Sequence, residues 1–290
     1  MRFGVAFPTT EIGTDPAIIR DFVQAAEALG YDHLTCIDHV VGAGTAAGEW
    51  QAHYTRANMF HEVLVLFGFI AAVTRRIALT SAILILPQRQ TALVAKQAAE
   101  IDVLSQGRLR LGVGLGWNSV EFEALNESFA NRARRLEEQV AVLRLLWTQD
   151  LVTYNGAFHR LTDVGLNPAP VQRPIPLWLG AFEPKAVQRA GRIADGWIIN
   201  PRSGPGNAAG DAIATFQEAA RGAGRDPDRL GIDATVHIAG KSPGQCAAEV
   251  EAWRKLGASH VTIRTMEAGL ASPQQHIDAI GKIRAALPRN

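Results

Sequence analysis

The 290-residue sequence predicts an α/β chain folded as a single (β/α)8 TIM barrel with insertions in its βα loops. Three observations predict it: eight short runs of apolar and β-branched residues, an amphipathic stretch after each run, and irregular chain gathered mainly between a strand and its following helix. Short apolar runs alternating with amphipathic helices mark repeated βα units and a parallel sheet, and eight units at this length close into a barrel.

The first unit joins Phe3–Phe7 to a helix over Pro16–Leu29, where Asp15-Pro16 supplies a capping carboxylate and a proline at the first helical position. The second strand, His33–Ile37, reaches its helix, Glu62–Thr74, only after the long connection Asp38 to His61. Ile77–Leu84 with Ala92–Leu104 forms the third unit, and Leu109–Val113 with Arg132–Trp147 the fourth, across a loop from Leu115 to Asn131. Before the fifth strand, Leu177–Gly180, the stretch Asp150 to Pro176 contains a hairpin turning at Asn155-Gly156. We read that stretch, residues 150–176, as an insertion within one domain spanning 1–290. Helix Pro184–Arg192 follows, then Gly196–Ile199 with Ala212–Ala223, Asp233–Ile238 with Gly244–Leu256, and His260–Ile263 with Pro273–Leu287. Gly30, Gly107, Gly224 and Gly257 stand just past helix ends, where a left-handed residue closes a helix.

Composition narrows the function classes. Apolar residues at 47% against charged residues at 20% fit a globular chain with one large core. With 29 basic and 28 acidic residues there is no bulk attraction to nucleic acid or to an anionic membrane. Cys36 and Cys246 do not resemble a disulfide framework, so a reducing cytoplasm is expected. The first residues lack the apolar core and cleavage site of a signal peptide, and the longest apolar stretch, around Val63 to Val73, is too short to span a bilayer.

Chemistry concentrates at strand ends. Asp38-His39 follows the second strand on the face where such barrels carry their sites; a carboxylate beside an imidazole can bind a polar heterocycle and exchange protons with it. A loop pair that only caps the strand reads equally well. His33, His39, His53 and His61 show neither i, i+4 spacing nor a clustered carboxylate, so no metal is expected. The run Gly112-Val113-Gly114-Leu115-Gly116-Trp117-Asn118 fails as a dinucleotide fingerprint, because Trp117 stands where the third glycine belongs and no long helix follows at once. Its glycines admit either a flat ligand or a neighbouring strand. The strand-to-helix turn after Leu177-Trp178-Leu179-Gly180-Ala181 leaves backbone N–H groups for a phosphate. Ser105-Gln106-Gly107-Arg108 lies on the opposite, stability face and reads as structural. The eight strand candidates contain no lysine, which disfavours Schiff-base chemistry.

Taken together, Asp102 to Trp117, Pro168 to Pro176 and Ala194-Asp195-Gly196-Trp197 resemble the luciferase-like monooxygenase superfamily, and within it the oxidoreductases that use the deazaflavin coenzyme F420. The resemblance implies a non-proline cis peptide between Ala82 and Ile83 against the central ring of the cofactor. It implies Asp38 hydrogen-bonding the ring edge, His39 near the reacting carbon as acid or base, and Leu115 and Gly116 lining the ring. Gly180 and Ala181, with the following helix start, would receive the cofactor phosphate. Where sugar-phosphate dehydrogenases of this family place a glutamate acid, this chain has Trp117, while Glu121 lies four residues further on. That departure disfavours a sugar phosphate, and Trp50, Trp117 and Trp197 suit a less polar substrate. The resemblance also implies a homodimer through barrel helices, for which Val63 to Phe67 is a candidate surface. The alternatives are a monooxygenase fed reduced flavin mononucleotide (FMN) by a partner reductase, and a flavin-binding barrel without turnover.

Overall fold

The computed structural model describes residues 1–44, 54–199 and 204–288, so Trp50 and His53 lie outside the described residues. Eight parallel strands make the wall: β1 (Arg2–Ala6), β2 (His33–Cys36), β3 (Ala78–Ser81) continued by β4 (Leu84–Ile85), and β5 (Leu109–Gly114). Outside it stands a hairpin of β6 (Val152–Asn155) and β7 (Arg160–Val164); β8 (Leu177–Ala181), β9 (Gly196–Ile199), β10 (Gly231–His237) and β11 (His260–Arg264) complete the ring. Pairing runs β1-β2-β3-β5-β8-β9-β10-β11, and β11 returns to β1 with Phe3 opposite Val261, so the expected barrel is closed.

Helices pack outside: α1 (Pro16–Ala28), α2 (Val63–Val73), α3 (Thr91–Ser105), α4 (Ser119–Ala124), α5 (Arg132–Thr148), α6 (Pro184–Ile193), α7 (Asn207–Gly222), α8 (Pro243–Lys255) and α9 (Pro273–Ala286). The Asp15 carboxylate accepts the Ala17 N–H at 2.8 Å, and Ser242 with Gln245 makes a full capping box on α8. Helix α7 opens five residues before the expected Ala212, because Gly206 ends the Gly-Pro-Gly break and Gly210 is accommodated inside the helix. Helix α2 keeps Val63, Leu64, Leu66 and Phe67 buried; Val65 alone of that run faces out, 71% exposed. The apolar run is therefore chiefly core packing.

Two further features differ from expectation in the chain outside the helices. The third strand is not continuous over Ile77–Leu84: it breaks between β3 and β4 at a cis Ala82–Ile83 peptide. The hairpin does not turn on Asn155-Gly156 alone. It turns over residues 156–159, closed by the Gly156 N–H to the His159 carbonyl at 2.9 Å, because Glu138 on α5 accepts the N–H groups of Ala157, Phe158 and His159, each at 2.8 Å. A remote carboxylate thus selects the turn in place of the local Asn-Gly preference.

At the amino-terminal end, the barrel floor is polar. The Asp233 carboxylate on β10 accepts from Arg110 Nη2 at 3.0 Å and from Thr262 at 3.0 Å, and His33 Nε2 lies 3.1 Å away. Burial opposes the Asp233 charge, yet His33 and Arg110 hold its carboxyl far below the usual range. Burial, and then the Arg110 charge, push the neighbouring His260 imidazole down to about 3. Beside this floor Arg108 donates to the carbonyl oxygens of Ala71, Thr74, Ile77 and Ser105, tying the end of α2 to the start of β5. Ser105 to Arg108 is thus structural, as its position implied.

Candidate active site

The opposite mouth is organised by the alternation of an extended chain, in which successive side chains point to opposite sides. Along and just after β2, Thr35 and Ile37 line the mouth cavity, and His39 lines the cleft beside it. Cys36 and Asp38 take the other side. The Asp38 carboxylate accepts the Ile85 N–H at 3.0 Å and pairs with Arg89 at 2.8 Å, and its side chain has no exposed surface. Burial raises this carboxyl above its usual range, against the pull of Arg89. Both Asp38 oxygens thus bond the wall, one at Ile85 just after the β3–β4 break and the other at Arg89.

The break itself is pinned from three sides. The Ala82 N–H bonds the Cys36 carbonyl at 2.7 Å, the Ser81 hydroxyl the Gly112 carbonyl at 2.8 Å, and Ile85 the Asp38 carboxylate. Ala82 lines a mouth cavity of about 50 Å3, and Ile83 and Leu115 are half-buried. The glycine run answers the earlier choice between ligand and neighbouring chain. A Cβ on Gly114 would lie 2.5 Å from Ile83, one on Gly180 2.6 Å from Ile83, and one on Gly116 2.5 Å from Ile85. These glycines leave room for the side chains of Ile83 and Ile85. Ala181 is buried, and its carbonyl accepts the Trp197 indole N–H at 2.8 Å. Trp197 is consequently a wall residue, not a lining for substrate. The first turn of α6 just beyond has no side-chain cap.

His39 is held by a residue to which the sequence assigned no role. Helix α4, expected as loop, is opened by the buried Asn118 side chain accepting the Glu121 N–H at 3.1 Å, and it carries Glu121 under the mouth. The Glu121 carboxylate, fully buried, accepts from His39 Nδ1 at 3.0 Å, from the Val40 N–H and from the Val41 N–H at 3.3 Å. Burial opposes its charge, but His39 and the Val40 N–H hold the carboxyl below its usual range. An ionised carboxylate only accepts, so the proton lies on Nδ1 and Nε2 keeps its lone pair. Around the imidazole, ring edges of Phe60, Tyr54 and Trp117 stand at centroid distances of 4.8, 5.6 and 5.6 Å. The cleft here, about 160 Å3, is also lined by Arg56, Asn58 and Asn118. The signal for Glu121 was its four-residue distance from Trp117, legible only once Ser119–Ala124 is recognised as a helix.

The chain matches the family model described as luciferase-like monooxygenase over residues 1–284. A protein of Mycobacterium tuberculosis is 33% identical over 204 residues, 68% of this chain and 69% of that one. An FMNH(2)-dependent dimethylsulfone monooxygenase of Pseudomonas fluorescens is 34% identical over 188 residues, 63% of this chain and 48% of that one. Among solved structures, a monooxygenase from Streptomyces bottropensis superposes with a TM-score of 0.83 at 19% identity, covering 99% of this chain and 98% of its own. An F420-dependent secondary alcohol dehydrogenase, in complex with an F420–acetone adduct, gives 0.80 at 19% identity over 99% of both chains. The chain belongs to the luciferase-like monooxygenase family.

Proposed function

We propose that this member of the family is a deazaflavin (F420)-dependent oxidoreductase, acting on a small organic substrate at the carboxyl end of the barrel. The observation that carries the reading is the buried Glu121 carboxylate holding His39 Nδ1 at 3.0 Å beside the mouth. The residues present fit a flat ring: Ala82, Ile83 and Leu115 offer an apolar step, and the uncapped start of α6 after Ala181 offers N–H groups to a phosphate. When bound, the deazaflavin supplies hydride exchange at its carbon 5. The protein supplies position and protons. Asp38 and Arg89 hold the step rigid; Phe60, Tyr54 and Trp117 exclude water from one side of His39; and Nε2 of His39 gives or takes the proton that accompanies the hydride.

A second reading has its own support: the FMNH(2)-dependent relatives favour a monooxygenase that takes reduced FMN from a partner reductase. Fluorescence titration of the protein with F420 and, separately, with FMN tests the two. Micromolar or tighter F420 binding with little affinity for FMN, and turnover without oxygen uptake, is the expected result. Preference for FMN with oxygen consumption establishes the second reading, and binding of neither leaves a barrel without this cofactor.

A further inference from the structure

Across the mouth from Ala82, β11 ends in Arg264, only 7% exposed. Its Nη2 reaches the Glu267 carboxylate at 3.2 Å and the Tyr54 hydroxyl at 3.4 Å, while its Nε is buried with no hydrogen-bond partner. Arg89, Arg132 and Arg135 also leave an Nε without a partner, but of these four only Arg264 lines the mouth cavity, where a ligand can supply the missing acceptor. Among the described residues Arg264 is the one charged group lining the mouth cavity, whose other walls include Ile37, Ala82, Ile198, Thr235 and Met266. Tyr54 links it to the proton-transfer residue, since the Tyr54 ring stands 5.6 Å from that of His39.

We infer that Arg264 anchors an anionic head group of the substrate, a carboxylate or a sulfonate, with the apolar remainder extending toward the aromatic rings around His39. The inference rests on the mouth being the substrate site of the proposed oxidoreductase. A cavity of about 50 Å3 suits a compact head group. A guanidinium in an apolar wall favours a planar or trigonal array of oxygens by paired, charge-assisted bonds. Glu267, with its side chain half exposed on the rim, is a partner that competes for the same guanidinium and that an incoming anion displaces toward water.

The test uses the full chain with acetate and methanesulfonate as probes, acetamide and dimethyl sulfone as uncharged counterparts, and ligand-observed NMR as the readout. F420 binding is followed by fluorescence on the same samples. The wild-type protein is expected to bind the anions at least about tenfold better than their counterparts, as charge-assisted hydrogen bonds imply. Arg264→Gln abolishes that preference, Arg264→Lys retains part of it, and Glu267→Gln strengthens anion binding several-fold by removing the competitor, all with F420 affinity unchanged. Should Arg264→Gln not fold, Glu267→Gln carries the test. No anion preference in the wild type, a preference that survives Arg264→Gln, or unchanged anion binding in Glu267→Gln overturns the inference. Loss of F420 binding in Arg264→Gln with the anion preference intact also overturns it and assigns the guanidinium to the cofactor phosphate. A wild-type protein that binds neither F420 nor FMN yet prefers the anions removes the proposed cofactor and leaves the anion site standing.

Discussion

Acid should loosen this barrel from its floor, beginning well above the range in which carboxylates titrate. His260 is driven from an ordinary 6.5 to about 3 by burial and by Arg110, and His33, buried against the same Asp233–Arg110 pair, is lowered as well. A base whose pKa folding depresses takes its proton more readily in the unfolded chain. Its contribution is therefore complete above pH 6.5 and is lost as pH falls toward 3. Integrated over that window for His260 alone, the loss between pH 6.5 and 4.5 is on the order of 2 kcal/mol. His33 adds loss of the same sign. Urea unfolding followed by circular dichroism from pH 7.5 down to 4.5 measures it, with His260→Gln expected to flatten the slope. A free energy of unfolding that stays level to pH 5 and falls only as carboxylates protonate would refute the reasoning.

Glu121→Gln removes the charge that keeps the His39 proton on Nδ1. Nitrogen-15 NMR should show mixed tautomers, and turnover should drop about ten- to hundredfold, the worth of a hydrogen bond to a charged group; an unchanged spectrum and rate would make Glu121 merely structural. Asp38→Asn breaks a buried ion pair and leaves Arg89 with only the half-buried Glu62 at 2.8 Å, so we expect a loss of about 3 kcal/mol in chemical denaturation. Two glycines separate by what their added Cβ would strike. Gly112→Ala meets the Ser81 carbonyl oxygen at 2.0 Å and should prevent stable folding, whereas Gly114→Ala meets the end of the Ile83 side chain and should cost about 1–3 kcal/mol. Equal melting temperatures for the two variants would contradict that distinction.

The barrel was legible because each of its units repeats one local pattern, and wall residues such as Leu34, Leu79, Leu111 and Val261 need only be apolar and alternate. What escaped depends on distant partners. Nothing around Asn155-Gly156 announces that Glu138, seventeen residues earlier in the chain, captures three N–H groups of the turn. The pairing of His39 with Glu121 spans 82 residues and needs α4, a helix too short to declare itself by period. The wall-facing direction of Asp38 was open to reading from sequence: neighbours on an extended chain face opposite ways, so Asp38 and His39 point to different sides. Ala82–Ile83 followed from family resemblance; no propensity distinguishes it from the rest of its strand.

The ring of aromatic edges around His39 also makes the site self-reporting. Trp117, 44% exposed and 5.6 Å from the imidazole, stands apart from the buried indoles of Trp147, Trp178, Trp197 and Trp253. The emission that disappears in Trp117→Phe is therefore expected to respond to whatever enters the cleft, and occupancy can be followed on the unlabelled protein without knowledge of the substrate.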